Sequence, residues 1–286
     1  MMKFRAACVQ LRSSTDMSEN IEAAERLIRE AVRAGAEYVQ TPEMTNVVDR
    51  RTGALTAAAQ PERSDPAVAR FSALAAELRI VLHIGSLALK SRDGRVANRA
   101  FVFGQDGRVL ARYDKIHLFD VDLPDGESWR ESATYVPGDR AVVADLPWLK
   151  LGVAICYDVR FPQLFRAQAH AGATALTAPA AFTKQTGEAH WHVLQRARAI
   201  ENGAFVISAA QAGRHADGRE TFGHSIIVAP WGEVLAEAGG QGPEVIVAEI
   251  DPARATDVRQ RIPSLRNERP FALPDAPMRT QIRSAS

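Results

Sequence analysis

Apolar and polar residues follow two periods along the chain, and these periods predict alternating strands and helices. Runs of apolar, β-branched residues predict strands at 4–10, 37–41, 80–86, 99–104, 108–112, 151–155, 174–178, 204–209, 224–229 and 244–250. Segments with one apolar face predict helices from about Ser18 to Ala34, at 66–78, 162–171 and 188–202, and from Pro252. This alternation predicts an α/β fold with sheets covered by helices. Since no linker or repeat divides the chain, we expect a single domain.

One cysteine stands at a predicted junction between a strand and a helix. The apolar run 151–155 ends at Cys156, Pro162 suits the first turn of the following helix, and Asp158 is placed to cap that helix. A thiol there faces the crevice beyond the strand, near helix N–H groups that favour the reactive thiolate. The alternative is a small buried core thiol, which is how we interpret Cys8 in strand 4–10.

Glu43 and Lys115 each follow a strand-like run, so both are expected at the same sheet edge as Cys156. Acyl transfer from an amide needs a nucleophile, a base and positive charge for the oxyanion, and these three residues supply them. Glu43 lies between Pro42 and Met44, so we expect desolvation to raise its pKa toward the working pH. Taken singly, Glu43 also suits a capping or surface carboxylate, and Lys115 a solvated loop lysine.

In order and context these residues resemble the Glu-Lys-Cys triad of the nitrilase, or carbon–nitrogen hydrolase, superfamily. The resemblance extends over most of the chain. It includes the blocks 115–120, 130–132, 152–162, 187–191, 194–202, 223–225 and 230–232.

The resemblance implies an α/β fold with a four-layer αββα sandwich over residues 1–273, which periodicity alone does not distinguish from a doubly wound single sheet. It also implies roles for four residues. Glu43 is the general base and acid, Lys115 stabilises the tetrahedral intermediate, and Cys156 is the acylated nucleophile. Glu131 orients Lys115 or the attacking water. Neither a metal nor an organic cofactor is expected.

Within the superfamily the chain is similar to the branch that hydrolyses ω-amides of 2-oxo acids. Residues 209–215 favour deaminated glutathione as substrate, giving 2-oxoglutarate and cysteinylglycine. The alternatives are an ω-amidase acting on 2-oxoglutaramate and an N-carbamoyl-amino-acid amidohydrolase; hydrolysis of aliphatic nitriles is least expected. A non-catalytic scaffold of the same fold is disfavoured, because the triad is complete.

Four residues near the predicted strand ends are candidates for substrate binding. Arg160 is our first candidate partner for the substrate carboxylate, because a guanidinium forms paired hydrogen bonds with a carboxylate. The backbone N–H of Tyr157 is expected to join Lys115 at the oxyanion, and Phe182 and Thr183 lie at the next strand end. The alternatives are a structural salt bridge for Arg160 and ordinary packing for Phe182.

Composition excludes several classes of partner. The 286 residues include 35 basic and 34 acidic ones, a net charge of +1, which argues against a main role in binding nucleic acid or an acidic membrane. No run reaches the roughly 18–20 apolar residues of a membrane span, and the start of the chain lacks a signal-peptide core. Two cysteines without a paired-spacing motif suit the cytoplasm.

Seven histidines raise the question of a metal site or a Cys–His pair. His190 and His192 lie two positions apart on a predicted helix and point to different faces, so we do not expect them to share a metal. His117, His190 and His224 are expected to be hydrogen-bond anchors or pocket walls. A Cys–His mechanism remains open from spacing alone.

The C-terminal segment from Arg261 is rich in proline and arginine, so it is not expected to form a continuous helix. It resembles the superfamily arm that packs across a dimer partner, which implies a homodimer or higher homo-oligomer. Residues 274–286 offer little to bury, and we expect them to form a flexible tail.

Overall fold

Two sheets, each covered by helices on one face, carry the fold. The structure is a computed structural model that describes residues 2–51, 53–123 and 126–272. In chain order the strands are β1 (Phe4–Gln10), β2 (Tyr38–Gln40), β3 (Val81–Lys90), β4 (Val96–Phe103), β5 (Val109–Asp114), β6 (Asp120–Asp122), β7 (Ser128–Arg130), β8 (Tyr135–Val136), β9 (Val142–Asp145), β10 (Lys150–Val153), β11 (Ala175–Thr177), β12 (Phe205–Ser208), β13 (Ala212–Arg214), β14 (Glu220–Phe222), β15 (Ile226–Val228), β16 (Val234–Glu237) and β17 (Glu244–Ile250). The helices are α1 (Met17–Arg33), α2 (Ala54–Ala58), α3 (Pro66–Leu78), α4 (Pro162–His170), α5 (Lys184–Asn202) and α6 (Ala253–Arg261).

The two large sheets have related strand orders. The first runs β17-β1-β2-β3-β4-β5, with β8 paired to β4, and the second runs β16-β15-β12-β11-β10-β9. Strands β1, β2 and β3 are parallel in the first sheet, as are β10, β11 and β12 in the second. Parallel neighbours need a crossover connection, which the helices provide. The carboxyl ends of these strands therefore lie at one edge of each sheet, where loops bring side chains together.

The apolar residues sort into layers. The outer face of the first sheet packs on α1 and α3 through a buried cluster that includes Val9, Ile28, Phe71, Leu74 and Leu82. A larger cluster contains the inner face of the first sheet, the second sheet and the buried sides of α4 and α5. Stacking of Phe4 on Trp148, with ring centroids 4.4 Å apart, joins the two sheets. The α–β–β–α order confirms the single-domain four-layer sandwich.

Most predicted elements are present, with shifted ends. The hairpin at 99–104 and 108–112 is confirmed as the antiparallel pair β4–β5, and Gly107 adopts φ +77° in its turn. Helix α5 begins at Lys184, four residues earlier than predicted at 188. Gly187 lies near the start of α5. Glycine is required at this position because Phe222 packs so closely that a Cβ atom on residue 187 would lie 2.3 Å from the Phe222 side chain.

One predicted cap is wrong. Phe161 occupies the N-cap position of α4, and no side chain caps that helix. Asp158 instead lies inside a 3₁₀ turn, Cys156–Arg160, where it accepts from the backbone N–H of the N-cap residue Ile155 and from Tyr113 and His117 of another segment. Pro162 does occupy the first turn of α4, as predicted.

Among the described residues, none of the helices has the length and apolar character needed to cross a bilayer. The predicted tail at 274–286 lies outside the described residues.

Candidate active site

The Lys115 ammonium lies between two carboxylates at the junction of the sheets. Its Nζ is 2.8 Å from Glu43 Oε1, and it is 2.9 and 2.8 Å from the two carboxylate oxygens of Glu131. Lys115 is only 2% exposed and Glu43 only 4%. Buried charges are tolerated when they are paired and hydrogen-bonded, and here each of the three is.

A close backbone crossing holds Glu43 at the end of β2. Met44, the next residue, adopts the left-handed φ of 57° and donates its backbone N–H to Ser86 Oγ at 2.9 Å. Gly85 of β3 lies against the same turn, where a Cβ atom would be 2.2 Å from the Thr41 carbonyl oxygen. The turn before Glu43 is thus fixed by contacts that leave no space for a side chain at position 85.

Cys156 occupies the sharp transition from the second sheet into the 3₁₀ turn. It adopts φ 49°, a left-handed conformation that is costly for a residue with a Cβ atom, and its backbone N–H donates to the Pro179 carbonyl at 3.0 Å. The Glu43 carboxylate and the Lys115 ammonium line the same cavity as Cys156, close enough to shift the pKa of its thiol in opposite directions. The strand end, the turn and the neighbouring strand end therefore direct the sulfur toward the first sheet.

Asp158 ties the cysteine turn to the lysine loop. Its Oδ2 accepts from the Ile155 backbone N–H at 2.9 Å and from the Tyr113 hydroxyl at 2.6 Å. Its Oδ1 accepts from the His117 backbone N–H at 3.1 Å and lies 2.7 Å from His117 Nδ1. Since these donors flank Cys156 and Lys115, one buried carboxylate sets the separation between nucleophile and ammonium. His117 is thus a hydrogen-bond anchor, as predicted.

Sequence reasoning missed Asn98 of β4. Its side-chain amide donates to Glu43 Oε1 at 2.9 Å and lies 3.3 Å from Glu131 Oε1, so it bridges the two carboxylates. The backbone N–H groups of Ala181 and Phe119 donate to Glu43 and Glu131 at 2.9 and 2.6 Å. A lone amide within an apolar strand is the signal that was available for Asn98.

Burial and the neighbouring charges shift the pKa values of Cys156, Lys115 and Glu131. Burial raises the pKa of the Cys156 thiol well above its ordinary value, the Glu43 charge raises it further, and Lys115 opposes both. Burial lowers the pKa of Lys115, but Glu131 and Glu43 outweigh it and hold that pKa well above its ordinary value. Burial raises the pKa of Glu131 against the opposing charge of Lys115. At neutral pH the thiol is therefore protonated and the lysine charged.

The expected rise in the pKa of Glu43 is wrong. Burial does raise the pKa of this carboxyl, but the charge and hydrogen bond of Lys115 outweigh it and leave the pKa below its ordinary value. Glu43 is thus ionised at rest and able to accept the proton of Cys156.

A cavity of about 660 Å³ opens onto this cluster. Glu43, Lys115, Glu131 and Cys156 line its wall, together with Tyr157, Phe182 and Thr183 from the predicted binding set. Arg160 is absent from the cavity lining. Its guanidinium lies over the rings of Phe182 and Tyr157, at 5.4 and 5.8 Å from their centroids, and hydrogen-bonds His190 at 3.2 Å.

Arg219 lines the cavity and had no signal in the sequence. Its guanidinium carbon lies 4.6 Å from the centroid of the Trp129 ring, which lines the same cavity. Arg219 Nε and Trp129 Nε1 are buried and have no acceptor within hydrogen-bond distance in the described part of the chain, and Arg219 Nε forms a longer ion pair with Asp217 Oδ2 at 3.8 Å. A guanidinium at the cavity wall favours a ligand that carries acceptor oxygens.

Comparison with known proteins agrees with this geometry. The family model for carbon-nitrogen hydrolases matches residues 5–260. This chain belongs to the carbon-nitrogen hydrolase family. It is 41% identical to the deaminated glutathione amidase of Synechocystis, covering 93% of this chain and 98% of that protein. It is 38% identical to an omega-amidase of Homo sapiens, covering 94% and 96%.

A solved structure extends the likeness to the fold. Nit3 of Saccharomyces cerevisiae, a member of the nitrilase superfamily, superposes with a TM-score of 0.82 at 33% identity, covering 91% of this chain and 94% of that one. This carbon-nitrogen hydrolase is therefore an enzyme that hydrolyses carbon–nitrogen bonds other than peptide bonds, on a nitrilase-type sandwich.

The raised pKa of Cys156 predicts how its thiol reacts. Only the thiolate attacks a small disulfide-forming reagent such as methyl methanethiosulfonate. The rate of modification of Cys156 should therefore keep rising above pH 9, the ordinary thiol value. In Glu43→Gln the negative neighbour is lost, so the pKa of the thiol falls and modification at pH 8 becomes faster than in the wild type.

The measurement is the rate of mass increase at each pH, with Cys156→Ala as the control for Cys8. A wild-type rate that levels off below pH 8, or slower modification of Glu43→Gln at pH 8, would contradict the prediction.

Proposed function

We propose that this hydrolase acts on ω-amides of 2-oxo acids, with deaminated glutathione as its substrate and 2-oxoglutarate and cysteinylglycine as products. The observation that carries the proposal is a thiol that shares one cavity wall with the Glu43 carboxylate and the buried Lys115 ammonium, in a cavity that also contains the Arg219 guanidinium. The similarity to a deaminated glutathione amidase supports this choice of substrate.

In the proposed acylation, Cys156 Sγ bonds to the amide carbon while Glu43 takes the thiol proton. The carbonyl oxygen gains negative charge, which Lys115 Nζ and the backbone N–H of Tyr157 stabilise. The C–N bond then breaks as Glu43 returns the proton to the departing amine, leaving a thioester on Cys156. Because Glu43 is a weak base relative to this thiol, proton transfer accompanies the attack and does not precede it.

In the proposed deacylation, Glu43 takes a proton from water and the hydroxyl oxygen bonds to the thioester carbon. The C–S bond breaks, the acid leaves, and the sulfur recovers its proton from Glu43. Glu131 has a distinct role in both halves. When Glu43 is protonated, Glu131 still faces Lys115 with both oxygens, so the ammonium keeps a counter-charge throughout.

We propose that Arg219 and Trp129 receive the 2-oxo-acid carboxylate. Their position at the cavity wall supports this role, since a guanidinium pairs with a carboxylate through its N–H groups. Tyr157, Phe182 and Thr183 form the wall for the acyl chain. We propose that Arg160 contributes to substrate binding indirectly, by holding the rings of Tyr157 and Phe182 in place.

The alternative function is an ω-amidase acting on 2-oxoglutaramate, supported by the similarity to an omega-amidase. The two substrates share the acyl part and differ in the leaving group, ammonia or cysteinylglycine. A cavity of about 660 Å³ leaves room for the larger leaving group, which favours deaminated glutathione.

The test is a parallel assay of 2-oxoglutarate release from both substrates. We expect a higher kcat/KM on deaminated glutathione, and loss of turnover in Cys156→Ala, which lacks the nucleophile. Glu43→Gln and Lys115→Ala should each lower kcat by orders of magnitude. A higher kcat/KM on 2-oxoglutaramate would reassign the enzyme as an ω-amidase, and retained turnover in Cys156→Ala would refute the mechanism.

Arg219→Gln tests the carboxylate site. Losing a charged hydrogen bond worth about 1.5–3 kcal/mol should lower kcat/KM by about 10- to 150-fold on the 2-oxo acid. It should have little effect on the methyl ester of the same carboxyl group. Arg130→Gln is the matched control, because Arg130 lines the same cavity but pairs with Asp122 at 2.8 Å, whereas the ion pair of Arg219 with Asp217 is longer, at 3.8 Å. Equal losses in the two variants, or on acid and ester, would contradict the proposal.

We propose a homodimer in which a second copy covers apolar side chains on the outer face of α5. Val193 is 68% exposed and Ile200 51%, and Trp231 nearby is 54% exposed. Light scattering should give a mass of twice that of one chain. The double variant Val193→Lys with Ile200→Lys should give the mass of a single chain. A monomeric wild type would contradict this proposal.

We also propose a cytoplasmic location, supported by two cysteines that are both unpaired. Cell fractionation tests it, and recovery in a secreted fraction would contradict it.

A further inference from the structure

Three side chains outside the candidate active site bring metal-binding atoms together. His192 comes from α5, His224 from the residues just before β15, and Glu237 from the end of β16. Their ligand atoms all lie within 4.8 Å of one another. None of the three lines the active-site cavity. The cluster therefore has no part in the chemistry described above.

The two imidazoles converge on one carboxylate oxygen. His192 Nε2 and His224 Nδ1 each lie 2.8 Å from Glu237 Oε1. Partial burial raises the pKa of Glu237, but the hydrogen bonds from these histidines outweigh it and lower the pKa, so the carboxylate is ionised. The cluster thus presents two ring nitrogens and one anionic oxygen toward a common point.

The backbone holds this arrangement in place before any ligand arrives. The Trp191 indole donates to the His224 carbonyl at 2.7 Å, which brings the neighbouring His192 of α5 beside the His224 ring. His224 itself adopts the left-handed φ of 55°, and its ring stacks on Phe222 with centroids 4.3 Å apart. The two rings are therefore held in place from separate elements.

We propose that His192, His224 and Glu237 form a binding site for one divalent transition-metal ion of the Zn²⁺ class. Two imidazole nitrogens and a carboxylate oxygen are a ligand set that Zn²⁺ accepts in a tetrahedral site with water as fourth ligand. Metal–ligand bonds of about 2.0–2.1 Å place the ligand atoms roughly 3.3 Å apart. The 2.8 Å separations from Glu237 need a small expansion, and the two ring nitrogens lie within 4.8 Å of each other.

Binding balances without a redox step. Metal binding uses the tautomer of each imidazole whose proton is on the ring nitrogen away from Glu237, so that the nitrogen facing Glu237 binds the ion through its lone pair. The side chains are 37%, 29% and 33% exposed, which leaves a path for the ion and its water. The bound ion joins α5 to the second sheet, so it stabilises the folded state by mass action.

The test is titration of the metal-stripped protein, in its native assembly, with ZnCl₂. Titration calorimetry measures the binding, and thermal unfolding with and without ZnCl₂ measures the melting temperature. We expect one ion per chain and a rise in melting temperature. His192→Gln and Glu237→Gln should weaken the binding by at least 10-fold and remove the thermal shift. Gln is a good helix former, so His192→Gln keeps α5 intact even where Glu237→Gln disturbs β16.

His170→Gln is the matched control, because His170 pairs with Glu268 at 2.7 Å but belongs to no three-residue cluster in the described part of the chain. Cys156→Ala is the second control, because a thiol beside carboxylates also attracts zinc. Both controls should bind as the wild type does. Absence of binding, binding unaffected by His192→Gln, or loss of binding in either Cys156→Ala or His170→Gln would each overturn the proposal.

Discussion

The buried ion cluster of Lys115 with Glu43 and Glu131 is the constraint on which the site depends. An ammonium in this position is tolerated only while both carboxylates surround it, because the cost of desolvating a charge is recovered only through close pairing. The three residues follow β2, β5 and β7 in the chain, so three separate connections must end at the same point. The requirement for pairing thus fixes the loops that form one side of the cavity.

The second sheet brings Cys156, the proposed nucleophile, to this cluster, and Asp158 links the two sheets. It accepts hydrogen bonds on both sides of the contact between sheets, from Ile155 before the nucleophile and from His117 after the lysine. The strained backbone of Cys156 persists because that network surrounds it. The position of the Cys156 sulfur therefore depends on how the two sheets pack, and a change in that packing would move the sulfur.

The charges also explain why the resting thiol is protonated in a site built for nucleophilic attack. Two carboxylates face one ammonium, so a thiolate would add a further negative charge to a cluster that already has one in excess. In the proposed mechanism, the proton leaves the sulfur only when the developing oxyanion can share Lys115. That mechanism ties the reactivity of Cys156 to the presence of a carbonyl substrate.

The order of strands and helices, the apolar faces of α1 and α3, and the positions of Glu43, Lys115 and Cys156 at strand ends all follow from local patterns. Periodicity and strand-end chemistry depend on residues a few positions apart, so both can be recognised in the sequence alone. The resemblance to the family added the roles of these residues and the second glutamate, Glu131.

Other features arise from contacts between segments far apart in sequence. Asn98 bridges two carboxylates from the middle of a strand, Arg219 and Trp129 meet across the cavity, and His192 meets His224 and Glu237 instead of its neighbour His190. The sign of the shift in the pKa of Glu43 depends on Lys115, which is 72 residues away along the chain. Electrostatics and hydrogen bonding act through space, so their balance appears only when folding has set the distances.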